Sequence, residues 1–113
     1  MKIETKKKTE PLEKTTQAKI KKYLISRGAS VDIITKGLYG GNGIADIIGV
    51  YKGAYIALEV KRLKGIVSPI QSVWLAEKGK HGAFCAVVRS VEEAEAFIND
   101  IDHVLDVKNY HLE

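Results

Sequence analysis

The spacing of apolar and polar residues along this 113-residue chain predicts an α/β fold. Helical spacing with capping residues occurs at about 12–27, 68–79 and 90–101, and runs of strand length occur at about 30–36, 44–51, 54–61 and 83–88. The predicted order is α-β-β-β-α-β-α, and a further short strand near 104–108 also fits the pattern. Such an order indicates a central mixed sheet flanked by helices.

Ionisable residues interrupt the two apolar runs of the segment 43–62, GIADIIGVYKGAYIALEVKR. If the Lys-Gly pair at 52–53 forms a two-residue turn, residues at equal distances from the turn face each other across a hairpin. Asp46 then lies opposite Glu59, and Lys61 projects from the same face of the sheet. Two carboxylates in direct opposition repel each other, so this arrangement needs a compensating positive charge.

A divalent cation between the Asp46 and Glu59 carboxylates would remove the repulsion, because hard oxygen ligands suit Mg²⁺ or Mn²⁺. The backbone carbonyl of Val60 lies between the two side chains in sequence and is a further candidate ligand. In the alternative interpretation, Lys61 forms a structural ion pair with Glu59 while Asp46 reaches solvent. The coincidence of two acids, an adjacent lysine and the glycine-rich segment 37–43 favours the metal site. Lys61 would then orient a water molecule or neutralise charge during phosphodiester hydrolysis.

The charge distribution favours a polyanionic partner. The chain has a formal net charge of +4; residues 1–91 are basic overall, whereas residues 92–113 are acidic overall. Neutralisation of phosphates supplies most of the non-specific affinity for nucleic acid, so a nucleic-acid partner is slightly favoured over a role of the charges in solubility alone.

The composition predicts one cytoplasmic domain without a membrane segment. The single cysteine, Cys85, excludes an internal disulfide and a cysteine-based zinc cluster. No apolar run approaches the roughly 18 residues that span a bilayer, and the N-terminus lacks the apolar stretch of a secretory signal. We expect a basic N-terminal segment at 1–11, followed by a single domain at 12–113.

The acidic pattern resembles the core motif of the PD-(D/E)xK nuclease superfamily. Asp46 is followed after twelve intervening residues by Glu59-Val60-Lys61, with Ala45 in place of the usual proline before the aspartate. Further short motifs in compact order resemble a stand-alone VRR-NUC (virus-type replication-repair nuclease) domain over about residues 12–100. These motifs are E-x-x-x-Q at Glu13 and Gln17, G-x-A-D-I-I-G at 43–49, E-V-K at 59–61, S-x-x-Q-x-x-W-L at 68–75 and V-V-R-S at 87–90.

This resemblance implies a restriction-endonuclease-like core and a metal-dependent endonuclease that cuts DNA in the cytoplasm of a bacterial or phage-infected cell. Small stand-alone members of the family are expected to be homodimers that act on branched double-stranded DNA, four-way (Holliday) junctions in particular. The catalytic residues implied are Asp46, Glu59, Lys61, Gln71 and Glu13, with Glu13 also near the metal. From the residues alone, Glu13 could be a first-turn acid favoured by the helix dipole. Gln71 could complete a capping box, a role that would compete with the active site for the same side chain, and the active site is favoured.

Basic and small residues near this site are the predicted DNA contacts, namely Lys36, Gly41, Asn42, Arg62, Lys64 and Arg89. For Arg89, a solvated position beside the last helix is the alternative. Other functions also remain open: a nuclease acting on flaps or other branched DNA, a catalytically silent nucleic-acid-binding module, and a structural α/β domain. The presence of Asp46, Glu59 and Lys61 argues against the silent module.

Overall fold

The computed structural model describes residues 12–35 and 43–112, so the predicted N-terminal segment 1–11 lies outside the described residues. The elements have the predicted α-β-β-β-α-β-α order, which confirms the predicted fold class. Their bounds are α1 Glu13–Ser26, β1 Ser30–Ile33, β2 Ile47–Tyr51, β3 Ala54–Val60, α2 Pro69–Lys80, β4 Phe84–Val88 and α3 Val91–Leu112.

The four strands form one mixed sheet in the spatial order β1-β2-β3-β4. The β1–β2 and β2–β3 pairs are antiparallel, whereas β3 and β4 are parallel. A parallel pair needs a crossover between its strands, and α2 supplies it. The chain segment between β3 and α2 therefore begins at the end of β3, one of the two inner strands.

The β2–β3 hairpin has the predicted two-residue turn. Lys52 and Gly53 both have positive φ angles, 50° and 82°, as a turn of the type I′ family requires. The ladder runs from Tyr51 opposite Ala54 to Ile47 opposite Leu58, which confirms the predicted register. Asp46, just before Ile47, and Glu59, just after Leu58, are the next residues at the open end of the hairpin.

The core lies between one face of the sheet and the helices α1 and α3. Alternate residues of β3 point into it, and Ile56, Leu58 and Val60 have no exposed surface. They pack with buried side chains of the two helices, including Ile20 and Ile98. Burying one such side chain contributes about 1.5 to 3 kcal/mol, so this face anchors β3. Glu59 lies between Leu58 and Val60 on the opposite face of β3, and its backbone is therefore held in place by this packing.

A polar cluster ties the turn of the hairpin to this helical layer. Asp102 of α3 accepts hydrogen bonds from the Tyr51 hydroxyl at 2.6 Å and from Lys52 Nζ at 2.9 Å. Arg27, at the end of α1, donates to the other carboxylate oxygen at 3.1 Å. The bonds from Tyr51 and Lys52 hold the pKa of Asp102 below its usual range. The cluster thus fixes the end of the hairpin that lies far from Asp46 and Glu59.

The last helix is longer than predicted. We expected it to end near residue 101, with a possible strand at 104–108, but α3 continues to Leu112. The prediction of a strand was wrong because Leu105 extends the buried stripe of Ile98 and Ile101 at helical spacing and packs against the core. Even so, no helix in the described part of the chain is long and apolar enough to cross a membrane.

Candidate active site

Two nearly buried carboxylates mark the open end of the hairpin. Only 8% of Asp46 and 1% of Glu59 is exposed. Asp46 Oδ2 accepts a hydrogen bond of 2.8 Å from the backbone N–H of Val60, the residue after Glu59. The backbone carbonyl of Asp46 accepts a second bond of 2.8 Å from Ile34 N–H. These bonds hold Asp46 against the end of β3, next to Glu59.

Glu59 interacts with the lysine two residues away. Lys61 Nζ lies 3.4 Å from Glu59 Oε2, and the Lys61 side chain is 15% exposed. This ion pair is the one proposed in the structural alternative. That alternative also placed Asp46 in solvent, however, and its burial and its bond to Val60 contradict this part. Both acids and the lysine are therefore collected at one end of the hairpin, as the metal hypothesis requires.

Gln71 serves two purposes that we expected to compete. Its Oε1 accepts from the backbone N–H of Ser68 at 3.1 Å, and its own N–H donates to Ser68 Oγ at 3.2 Å, which completes a capping box at the start of α2. Its Nε2 donates to Glu59 Oε2 at 2.5 Å. The expected competition was wrong because an amide has an acceptor at one atom and donors at the other. One side chain therefore starts α2 and orients Glu59.

Gly43 allows the segment before Asp46 to pack against α2. It has a φ of +84°, and a Cβ atom placed there would lie 2.4 Å from Ile70 Cγ2 and 3.2 Å from the Ile70 carbonyl oxygen. Any side chain at this position would therefore collide with the first turn of the helix. The contact brings the approach to Asp46 and the helix that carries Gln71 together.

Glu13 occupies a different position from the other predicted catalytic residues. It is the first residue of α1, and its Oε2 accepts a long bond of 3.4 Å from the backbone N–H of Arg62. Within residues 12–35 and 43–112, no group of three or more His, Cys, Asp or Glu side chains is arranged to hold a metal ion. A role for Glu13 at the metal therefore stays a prediction.

Asp46 and Glu59 are the described residues best suited to hold a divalent cation. Their oxygen atoms are the hard ligands that Mg²⁺ and Mn²⁺ prefer, and both carboxylates are nearly buried at the same end of the hairpin. The chemistry of this donor set therefore fits the predicted cation. The backbone carbonyl of Val60 stays a predicted additional ligand.

The predicted DNA contacts fall into three groups. Arg62 and Lys64 are exposed in the loop between β3 and α2. Lys36, Gly41 and Asn42 lie outside the described residues. The guanidinium of Arg89, which is half-buried, is directed to that same loop and donates to its backbone.

Arg89 is a clamp that sequence analysis missed. Its Nη1 donates to the carbonyl oxygens of Arg62, Leu63 and Gly65, with distances of 3.3 Å to Leu63 and 2.9 Å to Gly65. The clamp joins residues 24 to 27 positions apart in the chain, so no local pattern predicts it. Together with the bond between Arg62 and Glu13, it fixes the loop that follows Lys61.

The chain is similar to known proteins in sequence and in fold. No family model matches the chain. Over 85 residues, the chain is 34% identical to the Holliday junction resolvase RecU of Shouchella clausii (strain KSM-K16). This match covers 68% of the chain and 41% of the resolvase, so the chain spans about two fifths of the length of this curated relative.

The fold is similar to that of a solved structure described as a VRR_NUC domain. The TM-score is 0.64 at 22% sequence identity, and the match covers 77% of this chain and 94% of the solved one. The chain therefore has the fold of a VRR_NUC domain, which confirms the fold that the resemblance in its sequence implied.

Proposed function

We propose that the chain is a metal-dependent endonuclease that hydrolyses phosphodiester bonds in branched DNA, four-way junctions in particular. The observation that carries this proposal is the pair of nearly buried carboxylates, Asp46 and Glu59, held at the end of a rigid hairpin beside Lys61. Such a cluster is typical of a functional site. The two carboxylates can bind a cation, and the neighbouring lysine can contact a phosphate. The similarity to a Holliday junction resolvase supports the choice of substrate.

Asp46 and Glu59 would hold the cation, with the Val60 carbonyl and Glu13 as further candidates. Such an ion supplies positive charge to the phosphate under attack and lowers the pKa of a water molecule that acts as the nucleophile. The two carboxylates need little rearrangement for this role because the Val60 N–H and Gln71 Nε2 already orient them. Preorganisation of this kind lowers the cost of binding the ion.

Lys61 is the residue we assign to the substrate side of the site. Its ammonium group is 3.4 Å from Glu59 and remains 15% exposed, so it is accessible to a phosphate that approaches the carboxylates. From there it can donate a hydrogen bond to a phosphate oxygen or to the attacking water. Glu59 keeps the ammonium in place between turnovers. Gln71 acts as a positioning residue through its bond to Glu59.

Arg62 and Lys64 are the described residues best placed to contact phosphates of the DNA, since both are exposed just beyond Lys61. Lys36, Gly41 and Asn42 remain proposed contacts. We also propose that residues 12–113 form one domain and that two copies act together. Resolution of a four-way junction needs two cuts, and a closed two-fold dimer is the simplest assembly that presents two sites.

The test is cleavage of a synthetic four-way junction with Mg²⁺ or Mn²⁺ by the wild type and by Asp46→Asn. Asparagine can still accept the Val60 N–H, so this variant should fold while losing one charge at the metal. The matched control is Asp32→Asn, which removes an exposed acid from β1. We expect metal-dependent cutting by the wild type and the control, and a loss of at least about 100-fold for Asp46→Asn.

A flap and a linear duplex in the same experiment test the choice of substrate. Faster cutting of the flap than of the junction would reassign the enzyme to flap processing. Binding of all three DNAs without cutting in either metal would instead favour the catalytically silent module. Equal cutting by wild type and Asp46→Asn would refute the proposed role of the acidic pair.

A further inference from the structure

The segment 62–66, here called the 62–66 loop, is bracketed by two residues that contact the same carboxylate. Lys61 precedes the loop and pairs with Glu59, and Gln71 in the following helix donates to the same Glu59 oxygen. Both ends of the connection are thus tied to the candidate active site. A ligand bound at Glu59 would therefore lie close to the loop.

The loop exposes two large apolar side chains next to basic ones. Leu63 is 70% exposed and Ile66 is 85% exposed. Arg62 and Lys64, on either side of Leu63, are exposed as well. Single apolar residues on a surface need no explanation. Two of them beside two cations on one short loop at a candidate nuclease site form a surface suited to a ligand that is both anionic and apolar.

The loop is held in this conformation. Arg89 Nη1 donates to the carbonyls of Arg62, Leu63 and Gly65, and Gly65 N–H donates to the Arg62 carbonyl at 2.9 Å. With so many of its carbonyls bonded, the loop cannot readily turn Leu63 toward the core. The exposure of Leu63 is therefore built into the fold.

We propose that the 62–66 loop is a wedge that inserts Leu63 and Ile66 against bases at the branch point of the DNA while Arg62 and Lys64 contact the flanking phosphates. This inference rests on the proposed function and names the part of the chain that distinguishes branched from linear DNA. Apolar side chains can enter between bases where stacking is interrupted, and a branch point already lacks part of its stacking. A continuous duplex must first be unstacked, which costs free energy.

A second copy of the protein is the competing occupant, because Ile70 and Val73 on α2 are also largely exposed. The two cations favour DNA for the loop itself, since they complement phosphates and would have to be desolvated in an apolar protein interface. Val73 lies on α2 and not on the loop that carries the two basic residues, so it serves as the control position.

The experiment uses a four-way junction with the fluorescent base 2-aminopurine at the branch point, in EDTA so that no cutting occurs. Emission from this base rises when it becomes unstacked. The test variant is Leu63→Ser/Ile66→Ser, and Leu63→Met/Ile66→Met retains apolar side chains at the same positions. Val73→Ser is the control on α2, where the wild-type residue is 68% exposed.

We expect emission to rise on binding of wild type, the methionine variant and Val73→Ser. The serine variant should lose most of this rise and bind the junction roughly tenfold more weakly, with affinity for linear duplex unchanged. Equal emission and affinity for the serine variant and wild type would overturn the proposal. So would a serine variant whose sedimentation shows a lost association between copies, because the loop would then be a protein interface. Because the signal needs no cleavage, a failure of the proposed nuclease activity is detected separately.

Discussion

Gln71→Glu separates the two roles of this side chain. Glutamate has nearly the same shape as glutamine and can still accept the Ser68 N–H, so the capping box at the start of α2 is kept. It has no amide N–H to donate to Glu59, however, and it places a second carboxylate where Nε2 now lies 2.5 Å from Glu59 Oε2. The variant therefore perturbs the site and leaves the helix cap intact.

The expected loss of stability follows from the burial of Glu59, which is 1% exposed. Two like charges about 4 Å apart repel by about 4 kcal/mol at an effective dielectric constant of about 20. An acid in the first turn of a helix gains back about 0.3 to 1 kcal/mol from the helix dipole. The net loss is about 3 kcal/mol, which lowers the melting temperature of a domain of this size by roughly 13 °C.

The assay is thermal unfolding of wild type and Gln71→Glu at pH 7, with and without Mg²⁺. If the site binds a divalent cation, the ion offsets the added charge, and Mg²⁺ should raise the melting temperature of the variant more than that of wild type. Ser68→Ala is the control, because it removes only the cap and should cost about 1 kcal/mol regardless of the metal. A metal-free variant as stable as wild type, or one that Mg²⁺ does not rescue, would refute this reasoning.

Three further predictions concern parts of the fold that support the site. Asp102→Asn should lower the free energy of unfolding by about 1 kcal/mol at pH 7. An acid with a lowered folded-state pKa stabilises the fold only while it is ionised. In urea unfolding, this difference should therefore vanish as the pH falls through the depressed pKa of Asp102. A difference that does not depend on pH would contradict the contact with Tyr51. Gly49→Ala would place a Cβ 2.0 Å from the Ser30 carbonyl oxygen, so we expect a loss of about 3 kcal/mol, and an unchanged melting temperature would argue against this close approach. Arg89→Gln should slow junction cutting about tenfold, because Arg89 holds the 62–66 loop, and it should leave the salt dependence of DNA binding unchanged. If the magnitude of the slope of log K against log salt falls by about 0.9, Arg89 is instead a phosphate contact.

The hairpin is predictable from sequence because its signals are local. Gly53 suits a turn position with a positive φ angle, and the alternation on either side of the Lys-Gly pair leaves one register that buries both Ile47 and Leu58. That register alone brings Asp46 and Glu59 to the same end of the sheet. The main feature of the candidate site therefore follows from a short segment of the chain.

Contacts between distant segments are not predictable in this way. Arg89 and the 62–66 loop, like Arg27 and Asp102, meet only in the folded chain. No residue spacing near either partner indicates the other. The end of α3 was missed for a related reason, since its last turns have β-branched residues that also suit a strand, and only the packing of Leu105 on the core decides between the two.

The central claim is that Asp46 and Glu59 bind a divalent cation. Calorimetric titration of Mn²⁺ into wild type, Glu59→Gln and the surface control Asp32→Asn tests it without DNA or catalysis. We predict saturable binding by wild type and the control, and binding weakened roughly 100-fold or more by Glu59→Gln, because loss of a direct ligand should exceed the 10- to 100-fold cost typical of outer-shell changes. Equal Mn²⁺ affinity in wild type and Glu59→Gln would contradict the claim.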